Sequence, residues 1–330
     1  MWKPLLNSFI FVLAPKGSIM SKNIHFIFNP SELGAGTRGA SLGPEAIRAA
    51  ARTKGSTLFA QYPIKQVAQH NELLDRKSPF TFAKNIDGLR QVFDSLHQEI
   101  ASSVQAGAFP LLISGDHSAA AGTLASLKQQ FPTQRIGVVW IDAHADIHSP
   151  YTTPSGNIHG MPIAAALGLD HLHLAKNAPD TATIAHWNSL KSSAFLPQDL
   201  VYVGVRDTEP QEDAIMAELG LKNYTVAALR STGINACLAA ISAQLQNCDL
   251  IYISFDIDSI DPTETSYGTG TPVPNGITIA EAHQLLTYFA QDPKTVAIEI
   301  VEVNPCLDDQ KNKMAESALA LIENIIKHLS

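Results

Sequence analysis

Trp140-Ile141-Asp142-Ala143-His144-Ala145-Asp146 and Ser254-Phe255-Asp256-Ile257-Asp258 are the two stretches that decide how this chain reads. Each closes an apolar run, Ile136 to Ile141 and Leu250 to Ile253. Such runs are expected of parallel strands buried on both faces. A strand points alternate residues to one side. Continued in extended form, the first stretch places Asp142, His144 and Asp146 together, and the second Asp256 and Asp258. Carboxylates gathered in one place repel one another unless cations sit among them. A metal site at two strand ends is the first expectation.

Further apolar runs lie near 24–28, 109–113, 200–205 and 296–303. Between the runs, residues 84–106 carry Ile86, Leu89, Val92, Phe93, Leu96, Ile100 and Val104 as a helical stripe, and 118–130, 232–246, 279–290 and 311–328 also read as helices. Asp116 or Ser118 is a candidate cap for the helix at 118, and Thr278 for the one at 279. Alternating strands and helices predict an α/β fold, with a mostly parallel sheet covered on both faces. Without a repeat or a break in composition, residues 21–330 read as one domain and residues 1–20 as an N-terminal extension. Leu5 to Ala14 is apolar, but too short to span a bilayer.

Ligands of open parallel sheets bind beyond the carboxyl ends of the strands. The polar clusters fall there: Gly115-Asp116-His117-Ser118, Asp142 to Asp146, Asp256 with Asp258, and Glu302. The candidate ligands are His117, Asp142, His144, Asp146, Asp256 and Asp258, oxygen and imidazole donors suited to hard divalent ions. Six ligands exceed the three or four of one catalytic zinc, so two ions sharing carboxylates are expected. Four aspartates balance two divalent charges, and such a pair can activate water at neutral pH. Asp116 and Asp261 remain open, either as supports behind the ligands or as turn residues.

The 330 residues carry a net charge of −8 and are 45% hydrophobic. That suits a large soluble α/β domain, and no basic stretch exists to neutralise nucleic-acid phosphates. Cys237, Cys248 and Cys306 are an odd number without metal-type spacing, so ordinary thiols in a reducing, cytoplasmic setting are expected. No nucleic-acid or membrane partner is expected.

Gly115-Asp116-His117-Ser118, Asp142-Ala143-His144-Ala145-Asp146 and Ser254 through Pro262 resemble the three signatures of the ureohydrolases: arginase, agmatinase and formimidoylglutamase. The segment from Gly34 through Arg48 is similar to that family's first loop and helix. The resemblance implies a three-layer α/β/α fold and two Mn²⁺ per subunit. One ion would take His117, Asp142, Asp146 and Asp256, and the other His144, Asp142, Asp256 and Asp258. It further implies hydroxide attack on a guanidinium carbon, releasing urea and an amine, and a homo-oligomer, trimer or hexamer.

Within the family, Ser155-Gly156-Asn157-Ile158-His159-Gly160 and Glu302-Val303-Asn304-Pro305 look like arginase. The likeness implies His159 as proton shuttle to the leaving amine and Glu302 as the carboxylate that pairs with the guanidinium, so that His159, Glu302 and Asp146 are the candidate catalytic residues. Thr153 and Ser155 match contacts to an amino acid's carboxylate, and their retention with Asn157 of the substrate loop favours an amino-acid substrate. Glu209 and Glu212 align with amino-side contacts, Glu209 standing where arginases carry Asp. His148 stands where they carry an Asn that meets the α-carboxylate. L-arginine hydrolysis is the leading expectation. The rivals are agmatine, guanidino-acid or formimidoylglutamate hydrolysis, a non-catalytic metal-binding protein, and a phosphoryl-transfer enzyme; the last lacks a Gly-Lys-Ser/Thr phosphate loop.

Overall fold

A computed structural model describes residues 23–329; the apolar stretch Leu5 to Ala14 lies outside them. Among the described residues eight strands form one sheet: β1 (Ile24–Asn29), β2 (Ile64–Gln66), β3 (Phe109–Ser114), β4 (Ile136–Ile141), β5 (Leu200–Val203), β6 (Lys222–Tyr224), β7 (Leu250–Asp256) and β8 (Thr295–Val301). Their order is β2-β1-β3-β8-β7-β4-β5-β6. All the pairings are parallel, where sequence had predicted a mostly parallel sheet.

Side-chain alternation splits the central strands between two cores. Val139, Ile141, Ile253, Phe255, Ile298 and Ile300 face one layer, packed by helices Gly43–Thr53, Ile279–Ala290 and Lys313–His328. Val138, Trp140, Tyr202, Tyr252 and Ala297 face the other, packed by Ile86–Gln105, Ala119–Gln130 and Pro162–Leu167. The result is the expected three-layer α/β/α arrangement.

The predicted helices recur, the one at 279–290 with its bounds unchanged and the others with trimmed ends. Thr278 caps Ile279–Ala290 in a reciprocal pair with Glu281. Ser118 occupies the cap position of Ala119–Gln130 without a side-chain bond to the helix. Two strand predictions ran long. The run at 200–205 stops at Val203, where Gly204 takes φ 87°, and the run at 296–303 stops at Val301, where Glu302 takes φ 66°. A left-handed residue cannot continue a strand.

Register aligns the strand ends. Ile113, Ile300, Phe255, Ile141 and Val203 stand side by side across β3, β8, β7, β4 and β5. The loops leaving those five strands carry the polar clusters, so distant segments meet along one rim of the sheet.

Candidate active site

The loop after β3 delivers His117. A Cβ on Gly115 would lie 2.2 Å from the Ser31 carbonyl, so only glycine lets the chain pass there. Asp116, one of the two residues left open, is buried and accepts from the Gly34 and Ser118 N–H groups at 3.0 and 2.8 Å. Burial, with the Glu302 charge nearby, raises its carboxyl to about 6. It holds the loop and lies outside the ligand groups described below. Asp261 is a turn residue, accepting from Thr263 and Gly276.

His117 is fixed from several sides. Its N–H donates to Glu302 Oε1 at 2.9 Å, its Nε2 lies 2.7 Å from Ser254 Oγ, and its ring stacks on Trp140 with centroids 4.0 Å apart. The Trp140 indole N–H donates to Asp142 Oδ2 at 2.9 Å. These contacts aim His117 Nδ1 at three carboxylate oxygens: Asp142 Oδ2 at 3.0 Å, Asp146 Oδ2 at 3.1 Å and Asp256 Oδ2 at 3.1 Å.

The extended geometry predicted for the two acidic stretches is not how they work. β4 ends at Ile141, and residues 142–146 form a bend in which Asp142 Oδ1 accepts from the His144 N–H at 2.7 Å. β7 ends at Asp256, whose Oδ1 accepts from the Asp258 N–H at 2.8 Å in the short helix Ile257–Ser259. In both stretches an aspartate turns the chain with its own carboxylate. Asp146 takes φ 50°, which swings its side chain back toward His117. Alternate residues do converge, through turns rather than pleats.

Two groups of ligand atoms result, His117 with Asp142 and Asp256, and His144 with Asp142 and Asp258, sharing Asp142. His144 Nδ1 lies 3.1 Å from Asp258 Oδ2 and 3.4 Å from Asp142 Oδ1. Divalent ions fit this donor set. His117 Nδ1 is fully buried with no hydrogen-bond partner while three carboxylates point at it. A buried polar atom without a partner is costly, and a cation between the nitrogen and the oxygens would serve all four. Without cations the charges resolve through protons. Burial and the Asp142 charge push Asp146 up to about 6, and burial with the Asp258 and Asp142 charges pushes Asp256 well above the carboxylate range. Asp142 goes down, because His117 and His144 outweigh its burial. Both imidazoles are raised, their carboxylate neighbours overcoming burial.

Above these groups opens a cavity of about 270 Å³ lined by His144, Asp146, His148, Thr153, Ser155 and His159, together with Asn157, Asp207, Glu209, Glu212, Asp256 and Thr271. Glu302 lies outside that lining, with its Oε1 3.5 Å from His159 Nδ1. Burial opposes the charged imidazole, but Glu302 raises His159 to about 9. At the far end His148 bonds Thr152 at 3.0 Å and Glu209 at 3.1 Å, with Glu212 at 3.8 Å. His148 holds Glu209 down at about 2, while burial and the Glu209 charge raise Glu212. His148, Glu209 and Glu212 are also spaced like metal ligands, which the sequence pattern did not single out. Thr153 Oγ1 accepts from Ser155 and Gly156, and Ser155 Oγ from Asn157, so these hydroxyls shape their own loop.

Several residues at the site escaped the sequence reading. Trp140 belongs to the apolar run before the first acidic stretch, and Ser254 begins the second without a donor spacing that marks it. Thr271 donates to Asp258 Oδ2 at 3.0 Å, and Arg206 donates to the backbone carbonyls of Asp258 and Val273 at 2.9 and 2.7 Å. Neither carries a spacing that marks it.

A family model described as the arginase family matches residues 22–327. The arginase of Bacillus caldovelox is 33% identical over 312 residues, covering 92% of this chain and 98% of that protein. The structure of Entamoeba histolytica arginase in complex with L-ornithine superposes with a TM-score of 0.78 at 28% identity, covering 93% of this chain and 99% of the other. The formimidoylglutamase of Bacillus subtilis shares the fold, with a TM-score of 0.71 at 20% identity over 93% of this chain and 87% of the other.

Proposed function

The chain belongs to the arginase family, and we propose that it hydrolyses L-arginine to L-ornithine and urea with two Mn²⁺ ions. The observation that carries the reading is the pair of ligand groups sharing Asp142 directly beneath a cavity that His159 also lines. His117, Asp142, Asp146 and Asp256 would hold one ion, and His144, Asp142, Asp256 and Asp258 the other. When bound, the pair supplies positive charge and a water-derived nucleophile at neutral pH.

The chain's own residues do the rest. Glu302, buried beside His117 and His159, is the carboxylate next to the ligand groups left for the guanidinium once the aspartates are neutralised, a planar fork that suits it. That interaction orients the reacting carbon. His159, raised to about 9, is protonated at neutral pH and can donate to the departing amine. At the mouth, Thr153, Ser155 and Asn157 would face the substrate carboxylate, and Glu209 and Glu212 its ammonium. His148, already paired with Glu209, partly spends that acid. This pairing favours a second reading within the family, a guanidino substrate with a different tail. A cytoplasmic homo-oligomer fits the same proposal; among the described residues no single helix is long and apolar enough to cross a membrane.

Urea release by the Mn²⁺-loaded protein tests the reading across arginine, agmatine, guanidinobutyrate and formimidoylglutamate. The expected result is the highest kcat/KM on arginine, lost on chelation. Turnover confined to another substrate would transfer the assignment to that substrate, and no urea from any guanidino compound would sink it.

A further inference from the structure

Apart from its histidines, the cavity is short of positive side chains. Asp146, Asp207, Glu209, Glu212 and Asp256 line it beside His144, His148 and His159, and among the described residues no lysine or arginine does. A guanidino amino acid brings a carboxylate to the mouth of this site, where several acids would repel it unless a cation stands near.

Lys84 is placed to be that cation. It sits in the turn before helix Ile86–Gln105, and its backbone N–H donates to the Gly156 carbonyl at 2.8 Å. Gly156 takes φ 75°, and a Cβ there would lie 2.1 Å from the Thr81 carbonyl, so the two loops meet backbone to backbone. That seam carries the Lys84 ammonium onto Asn157, where Nζ donates to Oδ1 at 3.0 Å. Asn157 lines the cavity. An ammonium has three donors, and among the described residues this one makes no ion pair with an acid. Its charge is exposed and available beside the Thr153–Asn157 segment.

We infer that Lys84 is a specificity-determining residue whose ammonium, held by Asn157 at the cavity mouth, receives the carboxylate of an amino-acid substrate. The inference rests on the proposed guanidino hydrolysis and deepens it. It also bears on His148, which stands where an amide is expected to meet that carboxylate, since a lysine arriving from another loop supplies a carboxylate partner of its own.

Arginine and agmatine differ by this carboxylate alone, so their kcat/KM ratio is the readout in the full Mn²⁺-loaded chain. Lys84→Met keeps the aliphatic stem and should lower the arginine-to-agmatine ratio about ten-fold, about 1.4 kcal/mol, through KM for arginine. Lys84→Arg should hold the ratio near the parent value, and added salt should narrow the gap between parent and Lys84→Met. An unchanged ratio in Lys84→Met overturns the inference, as does an equal rise in KM for both substrates. If the parent turns over arginine alone, calorimetric Kd values for L-ornithine against putrescine give the same comparison. A parent that releases urea from neither overturns the functional reading itself, an outcome distinct from an unchanged ratio.

Discussion

The floor of the cavity and its mouth are built on different principles. At the floor the central side chains are held from several sides. His117 is held by Glu302, Ser254 and Trp140, and two aspartates turn the chain with the same carboxylates that would bind metal. At the mouth the polar groups hold one another, Thr153 and Ser155 their own loop, His148 its neighbour Glu209, and Asn157 the Lys84 ammonium. The floor rests on strand ends in register, the mouth on loops stitched to other loops. The proposed chemistry, which tolerates no displacement, would thus be seated on the sheet, and its selectivity on the parts that can vary.

The sharpest way to break this contrast is Asp142→Ala. One carboxylate serves both ligand groups, so metal affinity should fall by more than about 100-fold, beyond the loss usual for supporting residues. Elemental analysis retaining two ions per chain would dissolve the floor as a unit. His159→Ala should lower kcat by about 10²–10⁴-fold, the range of general acid catalysis, with metal content unchanged. Parent-like turnover would remove His159 from proton transfer. Ser254→Ala removes the bond to His117 Nε2 and should weaken metal binding about 10–100-fold, read by competition with a chelating dye.

Acidity probes the floor more gently. In the metal-free protein Asp146, Asp256, His117 and His144 all titrate above their ordinary values. A group that holds its proton more tightly when folded adds stability below its unfolded pKa and loses it as pH rises through the folded one. Asp146 thus stabilises the apo protein at pH 4 and has lost that contribution above about 6. Asp142, lowered, opposes this with the other sign. The proposed cations would bind in place of these protons, so the Tm gap between Mn²⁺-loaded and metal-free protein should widen from pH 5.5 to pH 8. A gap constant with pH would break that linkage. The smallest effect belongs to the mouth: His148→Asn frees Glu209 and should raise arginine selectivity over agmatine by several-fold at most, the scale of a partly exposed pair. A parent-like profile would leave His148 a support for the loop.

The same contrast explains what the sequence made legible. Asp142, His144, Asp146, Asp256 and Asp258 announce themselves because alternation at a strand end is rare in residues that repel. What could not be read was the turn that gathers them, since strand and Asx bend both bring residues i and i+2 to one side. β2 and β6 were missed because edge strands of three residues, partly exposed, need no apolar run. The helix Pro210–Leu219 was missed as well, its start capped by Glu209 and Glu212 in place of the usual hydroxyl. Lys84 and Arg206 act through backbone and amide contacts set by tertiary placement, for which no local pattern exists.

The left-handed backbone at Asp146 and Glu302 has a consequence for how this molecule can be altered. At such angles glycine relieves strain that a side chain must bear, on the order of 1–3 kcal/mol. A screen for stability alone therefore has a backbone reason to draw both positions toward glycine, and the proposed chemistry a reason to resist. At these two residues backbone and side chain pull against each other, so any gain in heat tolerance on change to glycine should be read as a warning about the proposed turnover.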